Sequence, residues 1–349
     1  MKHVVITAVT LITFTSMMLS QRGMIVLDEG GAVVHEVLSS SSTTTTTSKI
    51  PLLDLIRTQE EDSCPGGLFF VNDTIDEASL QQELNDRKIP KIVHITSRTR
   101  CVTNPFRLAI DRWRFPGHSL LFHNEAAVDR LLLDKSWPEF PSLSLATHCF
   151  LSGAAKADLW RLLVLWEYGG IYTDFDNTPE RFDGETLQPD DEGFFVVERS
   201  KIPSQYFMAF RPRHPFLYFA IHEVILRLLS HGDVNHQYVP IVTGPGPVRD
   251  ALRSYLGKRH LPGADESMSD YQSFMKIAAG TYGAYNSTIR VEGNAGNPNE
   301  WVKRSVVPKK GKFHYKKMNM THFDADKNND LPIEACMQRL YSKYSTGML

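Results

Sequence analysis

A pair of carboxylates at the end of a short apolar strand constrains this chain more than any other feature of its sequence. Residues 154–168 predict a helix, because their leucines and tryptophans recur at helical spacing. A Gly-Gly pair ends that helix, and the strand that follows finishes in Asp174-Phe175-Asp176. Residues two apart on a strand point to the same side, so we expect the two carboxylates to face one way, with Phe175 in the core behind them.

Strands and helices alternate from about residue 88 onwards. The predicted strands include residues 91–96, 119–123 and 171–176, and the predicted helices include residues 105–113, 154–168 and 215–230. Such alternation is typical of an α/β domain with a mostly parallel central sheet, whose ligands bind at the carboxyl ends of the strands. The carboxylate pair lies at one of those ends.

Composition excludes several other classes of protein. The chain has 349 residues, of which 42% are apolar and 22% charged, so it can bury a sizeable core. Its 38 basic and 40 acidic residues give a net charge of −2, which argues against a nucleic-acid partner. The 4 cysteines contain no Cys-x-x-Cys pair, so a structural zinc site is not expected.

The N-terminus predicts a membrane segment. An apolar stretch over residues 4–19 follows Lys2, which is typical of a signal peptide or of an uncleaved signal-anchor within residues 1–22. The lysine favours a cytosolic N-terminus. We therefore expect a single-pass type II protein of the Golgi or ER membrane, with its catalytic domain in the lumen.

The rest of the chain divides into three expected parts. A Ser/Thr tract at residues 39–48 is typical of a linker or an O-glycosylated stalk, so residues 23–87 are expected to form a stalk. The catalytic domain is expected over residues 88–325, and a polar C-terminal tail over residues 326–349.

Glycosylation signals and cysteines agree with a lumenal location. Three sequons of the form Asn-x-Ser/Thr begin at Asn72, Asn286 and Asn319. In an oxidising compartment the cysteines could form two disulfides, and the sequence leaves all three pairings open, among Cys64, Cys101, Cys149 and Cys336.

Two neighbouring carboxylates repel each other unless positive charge lies between them. A divalent cation with hard oxygen ligands suits such a pair, and Mn²⁺ or Mg²⁺ held jointly by the protein and a diphosphate is the expected cofactor. A cation of this kind stabilises the negative charge that develops on a departing nucleoside diphosphate. An isolated Asp-x-Asp pattern is a weak signal, so its neighbours in the sequence decide its meaning.

Those neighbours resemble the signature of glycosyltransferase family 32, whose sugar-binding region contains a DXD motif. The matching segments are Ala155-Lys-Ala-Asp158-Leu-Trp-Arg161 and Glu167-Tyr-Gly-Gly-Ile-Tyr-Thr-Asp-Phe-Asp176. The resemblance covers roughly residues 88–250 and implies a GT-A fold, which is a Rossmann-like α/β domain. The family includes yeast-type α-1,6-mannosyltransferases and mannosyltransferases that act on inositol phosphoceramide.

The resemblance also implies catalytic and donor-binding roles. Asp158 and Arg161 would bind hydroxyls and phosphate of the donor sugar, and Tyr172 would line the nucleotide site. Asp174 would bind donor ribose or sugar and share the metal ion, and Asp176 would be the direct metal ligand.

Two histidines receive roles by the same resemblance. His94 would lie near the donor nucleotide, because Ile89-Pro-Lys-Ile-Val-His94 resembles the first strand of the family. His322, near the end of the domain, would be a further metal or diphosphate ligand. The family's tryptophan after the first strand is absent, since Thr96 and Ser97 occupy the matching positions.

These roles imply a metal-dependent retaining glycosyltransferase that moves a hexose to a glycan or glycolipid acceptor. Mannose from GDP-mannose is the first expectation for the donor. A UDP-sugar donor (galactose or N-acetylglucosamine) stays open, because no residue separates the donors. A sugar-binding protein without activity is the rival from another class, and the complete acidic and basic set argues against it. A metal-dependent phosphodiesterase normally needs a second cluster of carboxylates or histidines, and the sequence shows none.

Overall fold

The computed structural model describes residues 49–57, 63–81, 87–147, 153–197, 203–230, 239–258, 277–293 and 300–306. The expected N-terminal membrane segment, the Ser/Thr tract, His322 and the C-terminal tail lie outside these residues. Within them, no helix combines the length and the apolar character that a membrane crossing requires.

The first half of the described chain is built from short elements around two strands of the central sheet. Its helices are α1 (Leu52–Ile56), α2 (Glu77–Gln81), α3 (Asn104–Asp111), α4 (Glu125–Asp129) and α5 (Leu143–Ala146), with a π-helical turn at Arg130–Asp134 after α4. Its strands are β1 (Leu68–Phe70), β2 (Ile92–Thr96), β3 (Cys101–Thr103) and β4 (Ser119–His123).

The second half contains the long helices and most of the central sheet. Its helices are α6 (Gly153–Tyr168), α7 (Pro215–Ser230), α8 (Val239–Val242) and α9 (Pro245–Leu256). Its strands are β5 (Gly170–Thr173), β6 (Asn177–Pro179), β7 (Gly193–Val197), β8 (Pro203–Phe210), β9 (Gly280–Ala284), β10 (Ser287–Gly293) and β11 (Val302–Arg304).

A seven-stranded mixed sheet with the order β4-β2-β5-β8-β7-β10-β9 forms the centre. β2 pairs in parallel with β4 and β5, and β7 pairs in parallel with β10. β8 is antiparallel to both of its neighbours, and β9 is antiparallel to β10. Five of the seven strands therefore share one direction, and the expected α/β architecture with a mostly parallel sheet is confirmed.

Apolar side chains cover both faces of this sheet. On one face, α6, α7 and α9 pack against residues such as Tyr172 and Phe210, and on the other an aromatic cluster surrounds Trp113 and Phe207. Most of α6 is enclosed, since 13 of its 16 residues are buried. Strands buried on both sides read as continuous apolar runs, which is why β2, β4 and β7 carry so few polar residues.

Part of the region expected to be a stalk belongs to the folded domain. Leu55 of α1 and Val71 after β1 are buried in the two apolar clusters, and Thr74 forms a β-bridge with Leu120 of the central sheet. A disulfide joins Cys64 to Cys101 on β3. The expected domain boundary at residue 88 is therefore too late in the sequence. Cys149 and Cys336 lie outside the described residues.

Candidate active site

The Asp-Phe-Asp segment forms a turn at the end of β5. The strand ends at Thr173, and the N–H of Asn177 donates to the carbonyl of Asp174 over 3.1 Å, which reverses the chain into β6. The prediction of a strand through residue 176 is therefore wrong. That both carboxylates face one way stays a prediction. Phe175 is only partly buried and packs on Phe106, with 4.7 Å between ring centroids.

Polar contacts beneath the turn hold it against β8. The N–H of Asp174 and the side-chain amide of Asn177 both donate to the carbonyl of Tyr206, over 3.0 and 3.1 Å. The indole of Trp113 donates to the Asn177 carbonyl over 3.0 Å. A turn fixed by buried backbone bonds presents its carboxylates in a defined place.

Two glycines set the approach to this turn. Gly169 and Gly170 have φ of 67° and 99°, a region that side chains disfavour. A Cβ on Gly170 would lie 2.6 Å from the carbonyl oxygen of Ile92 on the neighbouring strand β2. The Gly-Gly pair therefore ends α6, as predicted, and also lets β5 approach β2 closely.

Arg161 joins helix α6 to the turn. Its guanidinium contacts Asp158 Oδ1 at 2.9 Å and Asp174 Oδ1 at 3.3 Å, and it donates to the carbonyl of Gln205 over 2.8 Å. The predicted functional residues on the helix and at the turn are thus brought together. One buried cation lies between two carboxylates, and only Asp174 keeps appreciable exposure, at 28% of its side chain.

Tyr172 orients Asp174 through a hydrogen bond. Its hydroxyl donates to Asp174 Oδ1 over 2.6 Å, and the Arg161 guanidinium lies over its ring, 4.6 Å from the centroid. Burial, with Asp174 adding to it, raises the pKa of the Tyr172 phenol well above its usual value, so the phenol stays a donor. Only 1% of Tyr172 is exposed. Its expected role in lining the nucleotide site stays a prediction.

Asp158 is a buried carboxylate with a second partner across the site. Thr243, between α8 and α9, donates its hydroxyl to Asp158 Oδ2 over 3.0 Å. Burial raises the pKa of Asp158 to about 6, although Arg161 and the Thr243 hydrogen bond both oppose this. Asp158 is therefore ionised at neutral pH and close to its titration range.

Asp176 pairs with an arginine from a distant segment of the chain. Its Oδ2 contacts Arg304 Nε at 2.6 Å, and its carbonyl accepts the N–H groups of Ser305 and Val306. Burial, followed by the charge of Asp174, raises the pKa of Asp176, and Arg304 opposes the rise. Asp176 is thus close enough to Asp174 for the two carboxylates to repel each other.

His94 belongs to the core. Its side chain is fully buried, with Nε2 against the carbonyl of Gly169 at 3.0 Å and Nδ1 against His123 Nε2 at 3.1 Å. Burial lowers the pKa of His94 to about 4, so the ring is neutral. Both ring nitrogens are engaged and the side chain has no exposed surface. His94 therefore cannot contact a donor in this structure, and its role here is structural.

The two aspartates of the turn have the chemistry of a shared metal site. Their hard oxygens suit Mn²⁺ or Mg²⁺. Among the described residues, no group of three or more His, Cys, Asp or Glu side chains could enclose a metal ion.

Three contacts of the site come from residues without a predicted role. The Gln205 carbonyl accepts a hydrogen bond from Arg161, and the Thr243 hydroxyl donates one to Asp158. Arg304 forms an ion pair with Asp176. The loop that begins at Thr243 is recognisable in the sequence as a tight Gly-Pro turn, but nothing local connects it to Asp158. Gln205 and Arg304 stand in ordinary strand segments and carry no sequence signal.

Comparison with known proteins agrees with this geometry. Residues 117–190, which include α6 and the turn, match the family described as "Glycosyltransferase sugar-binding region containing DXD motif". Residues 117–190 are thus similar to a glycosyltransferase sugar-binding region. The resemblance and the glycosyltransferase class expected from the sequence are thereby confirmed for the segment that holds the site.

A curated relative carries the same likeness over a longer stretch. The chain is 24% identical over 201 residues to the mannosyl phosphorylinositol ceramide synthase of Saccharomyces cerevisiae. The match covers 54% of this chain and 49% of the relative, so it spans about half the length of that protein.

One solved structure, titled PaToxG Glycosyltransferase, is also similar. It is 19% identical, with a TM-score of 0.36, and the match covers 49% of this chain and 70% of that one.

Proposed function

We propose that this chain is a metal-dependent retaining glycosyltransferase that moves a hexose from a nucleotide sugar to a glycan or glycolipid acceptor. The observation that carries the proposal is the bridge made by Arg161, which contacts Asp158 on the helix and Asp174 on the DXD turn. The arrangement gathers acidic and basic groups for a sugar and its phosphates at the end of a central strand.

The residues of the bridge have complementary tasks in donor binding. Ionised Asp158 accepts hydrogen bonds from sugar hydroxyls, and its orientation is fixed from both sides by Arg161 and Thr243. Arg161 offers positive charge beside Asp174, where donor phosphates add negative charge. Tyr172 keeps Asp174 Oδ1 oriented through its hydroxyl. Such prior orientation saves reorganisation when the donor binds.

Asp174 and Asp176 would hold the divalent cation together with the donor diphosphate. The bound cation supplies Lewis-acid stabilisation for the charge that develops on the leaving nucleoside diphosphate. The protein's own part is to fix the two carboxylates on a braced turn.

Mannose from GDP-mannose is the proposed donor. The curated relative in yeast is named as a mannosyl phosphorylinositol ceramide synthase. That name supports mannose as the sugar and a glycolipid of the inositol phosphoceramide type as the acceptor.

The lumen of the Golgi or ER is the proposed place of action. A disulfide between Cys64 and Cys101 requires an oxidising compartment, and the sequons at Asn72 and Asn286 stand at exposed positions. Attachment through residues 1–22 stays part of this proposal.

A panel of nucleotide sugars, scored by donor hydrolysis with and without Mn²⁺, tests the function. We expect GDP-mannose to be hydrolysed in a Mn²⁺-dependent manner, and UDP-galactose and UDP-N-acetylglucosamine to be hydrolysed much more slowly. Transfer is then measured with inositol phosphoceramide as acceptor.

Charge-removing variants distinguish hydrolysis by this chain from hydrolysis by a contaminating enzyme. Asp174→Asn and Asp176→Asn should each lower Mn²⁺-dependent hydrolysis at least about a hundredfold, since each removes charge from the metal site. Asp190→Asn, at an exposed position outside the site, is the matched control and should leave the rate unchanged. Binding of a nucleotide sugar without any hydrolysis or transfer would instead identify a sugar-binding protein.

A further inference from the structure

Arg304 forms an ion pair with the buried carboxylate of the DXD turn. Its Nε lies 2.6 Å from Asp176 Oδ2, which makes this a short, charge-assisted contact. The carboxylate side chain is 6% exposed, whereas the arginine side chain is 60% exposed. The guanidinium therefore lies between a buried negative charge and solvent.

The backbone of this arginine is fixed while its side chain reaches outward. β11 pairs antiparallel with β6, and Arg304 is opposite Asn177 in the register. Directly after it, the N–H groups of Ser305 and Val306 donate to the Asp176 carbonyl over 3.0 and 3.1 Å. Rotation of the side chain alone could thus move the guanidinium without disturbing the turn.

Arg304 and a divalent cation would compete for the same carboxylate. Both are positive, and Asp176 has little exposed surface with which to bind both at once. A donor diphosphate brings new negative charge to the same place, and a guanidinium pairs well with phosphate oxygens.

We propose that Arg304 occupies Asp176 while the donor is absent and transfers to the donor diphosphate when the divalent cation binds. The inference rests on the proposed function and adds to it a residue that couples cation binding to donor binding. In the empty site Arg304 weakens the affinity for the cation. In the loaded site it strengthens the hold on the nucleoside diphosphate.

Two binding measurements on Arg304→Ala test this exchange. Mn²⁺ binding without nucleotide, followed by the electron paramagnetic resonance signal of free Mn²⁺, should become at least about threefold tighter. GDP and UDP binding at saturating Mn²⁺, followed by calorimetry, should become about tenfold or more weaker, as expected for the loss of a charge-assisted contact. These opposite signs are specific to an exchanged arginine.

A neighbouring residue supplies a matched control. Lys303→Ala removes the same charge from the adjacent exposed position on β11, so it should change neither affinity by more than about twofold. Arg304→Lys keeps the charge but not the planar fork, and should bind nucleotide with intermediate affinity. Thermal midpoints of all variants show whether each one folds. If Arg304→Ala does not fold, the binding measurements on Arg304→Lys still test the exchange.

Three results would overturn the inference. Unchanged Mn²⁺ affinity in Arg304→Ala excludes competition at Asp176, and unchanged nucleotide affinity excludes transfer to the diphosphate. If Lys303→Ala changes both affinities as much as Arg304→Ala does, the effect comes from the overall positive charge near the site and not from Arg304 itself. Failure of the wild-type chain to bind either nucleotide with Mn²⁺ contradicts the proposed function. In that case, comparing the Mn²⁺ affinities of wild type and Arg304→Ala without nucleotide still tests the competition at Asp176.

Discussion

The hydroxyl of Thr243 donates to Asp158 Oδ2 over 3.0 Å, across 85 residues of sequence. Both side chains are buried, and the other oxygen of the carboxylate contacts Arg161. The loop before α9 therefore controls the orientation of a charged group on α6. If Asp158 binds the donor as proposed, this loop helps to orient the donor site.

Thr243→Val should impair the reaction without unfolding the chain. Loss of a hydrogen bond to an ionised group lowers kcat/KM for donor hydrolysis about tenfold. Because that bond lowers the pKa of Asp158, its loss raises the pKa further above about 6 and moves the acidic limb of the pH–rate profile upward. Thr243→Ser keeps the hydroxyl and should retain both rate and profile. An unshifted limb in the valine variant would refute a role through Asp158.

Asp158→Asn should be inactive and yet more stable at neutral pH. The pKa of Asp158 is about 6 in the folded chain against 3.8 for an ordinary aspartate, so the folded state binds an extra proton between these values. Wild-type stability therefore falls as the pH rises from 3.8 to about 6. The neutral amide escapes this loss, and the gain at pH 7 is at most about 3 kcal/mol.

Urea unfolding at pH 4 and pH 7 measures the effect of Asp158→Asn. We expect similar stability of variant and wild type at the lower pH and a gain for the variant at the higher one. Asp190→Asn again serves as the control, with no gain at either pH. A variant less stable than wild type at pH 7 would mean that the Arg161 contact outweighs the cost of burial.

Tyr172→Phe should weaken the metal site while leaving the fold nearly intact. The change removes only the hydroxyl that donates to Asp174 Oδ1 over 2.6 Å. The ring and its contact with Arg161 stay in place, so the free energy of unfolding should fall by no more than about 1.5 kcal/mol. Donor hydrolysis and Mn²⁺ affinity should both drop several-fold. Equal Mn²⁺ affinity in variant and wild type would contradict this role.

Gly170→Ala should unfold the chain far more readily than Gly257→Ala. Both glycines have positive φ, of 99° and 61°, so both alanines carry backbone strain of about 1–2 kcal/mol. A new Cβ at Gly257 meets no atom within 4 Å, whereas at Gly170 it meets the Ile92 carbonyl at 2.6 Å. Chemical denaturation should therefore show a loss at Gly170 greater by about 1–3 kcal/mol. Equal losses would show that β5 can move away from β2.

Local patterns were sufficient for the main helices, for several central strands and for half of the site. The helix at residues 154–168, its Gly-Gly end and the strands at residues 91–96 and 119–123 follow from periodicity and stop signals, and each is observed within about two residues. The nearness of Asp158, Arg161 and Asp174 follows from the same helix–strand unit. These predictions depend on residues close together in the chain.

What sequence reasoning could not supply are contacts between distant segments. Arg304 meets Asp176 across 128 residues, and Gln205 meets Arg161 across 44. The carboxylate pair was expected on a strand because alternation cannot reveal the hydrogen bond from Asn177 that turns the chain. His94 was given a donor contact by resemblance, and only tertiary packing shows that its ring is enclosed.

The Cys64–Cys101 bond has a consequence for how the protein is made. It ties the segment before α2 to β3, and that segment supplies Val71 and Thr74 to the sheet that carries the site. A shortened chain that starts at residue 88 loses these packing groups and leaves Cys101 as an unpaired thiol. Recombinant production should therefore retain residues 49–87 and use a host compartment that permits thiol oxidation.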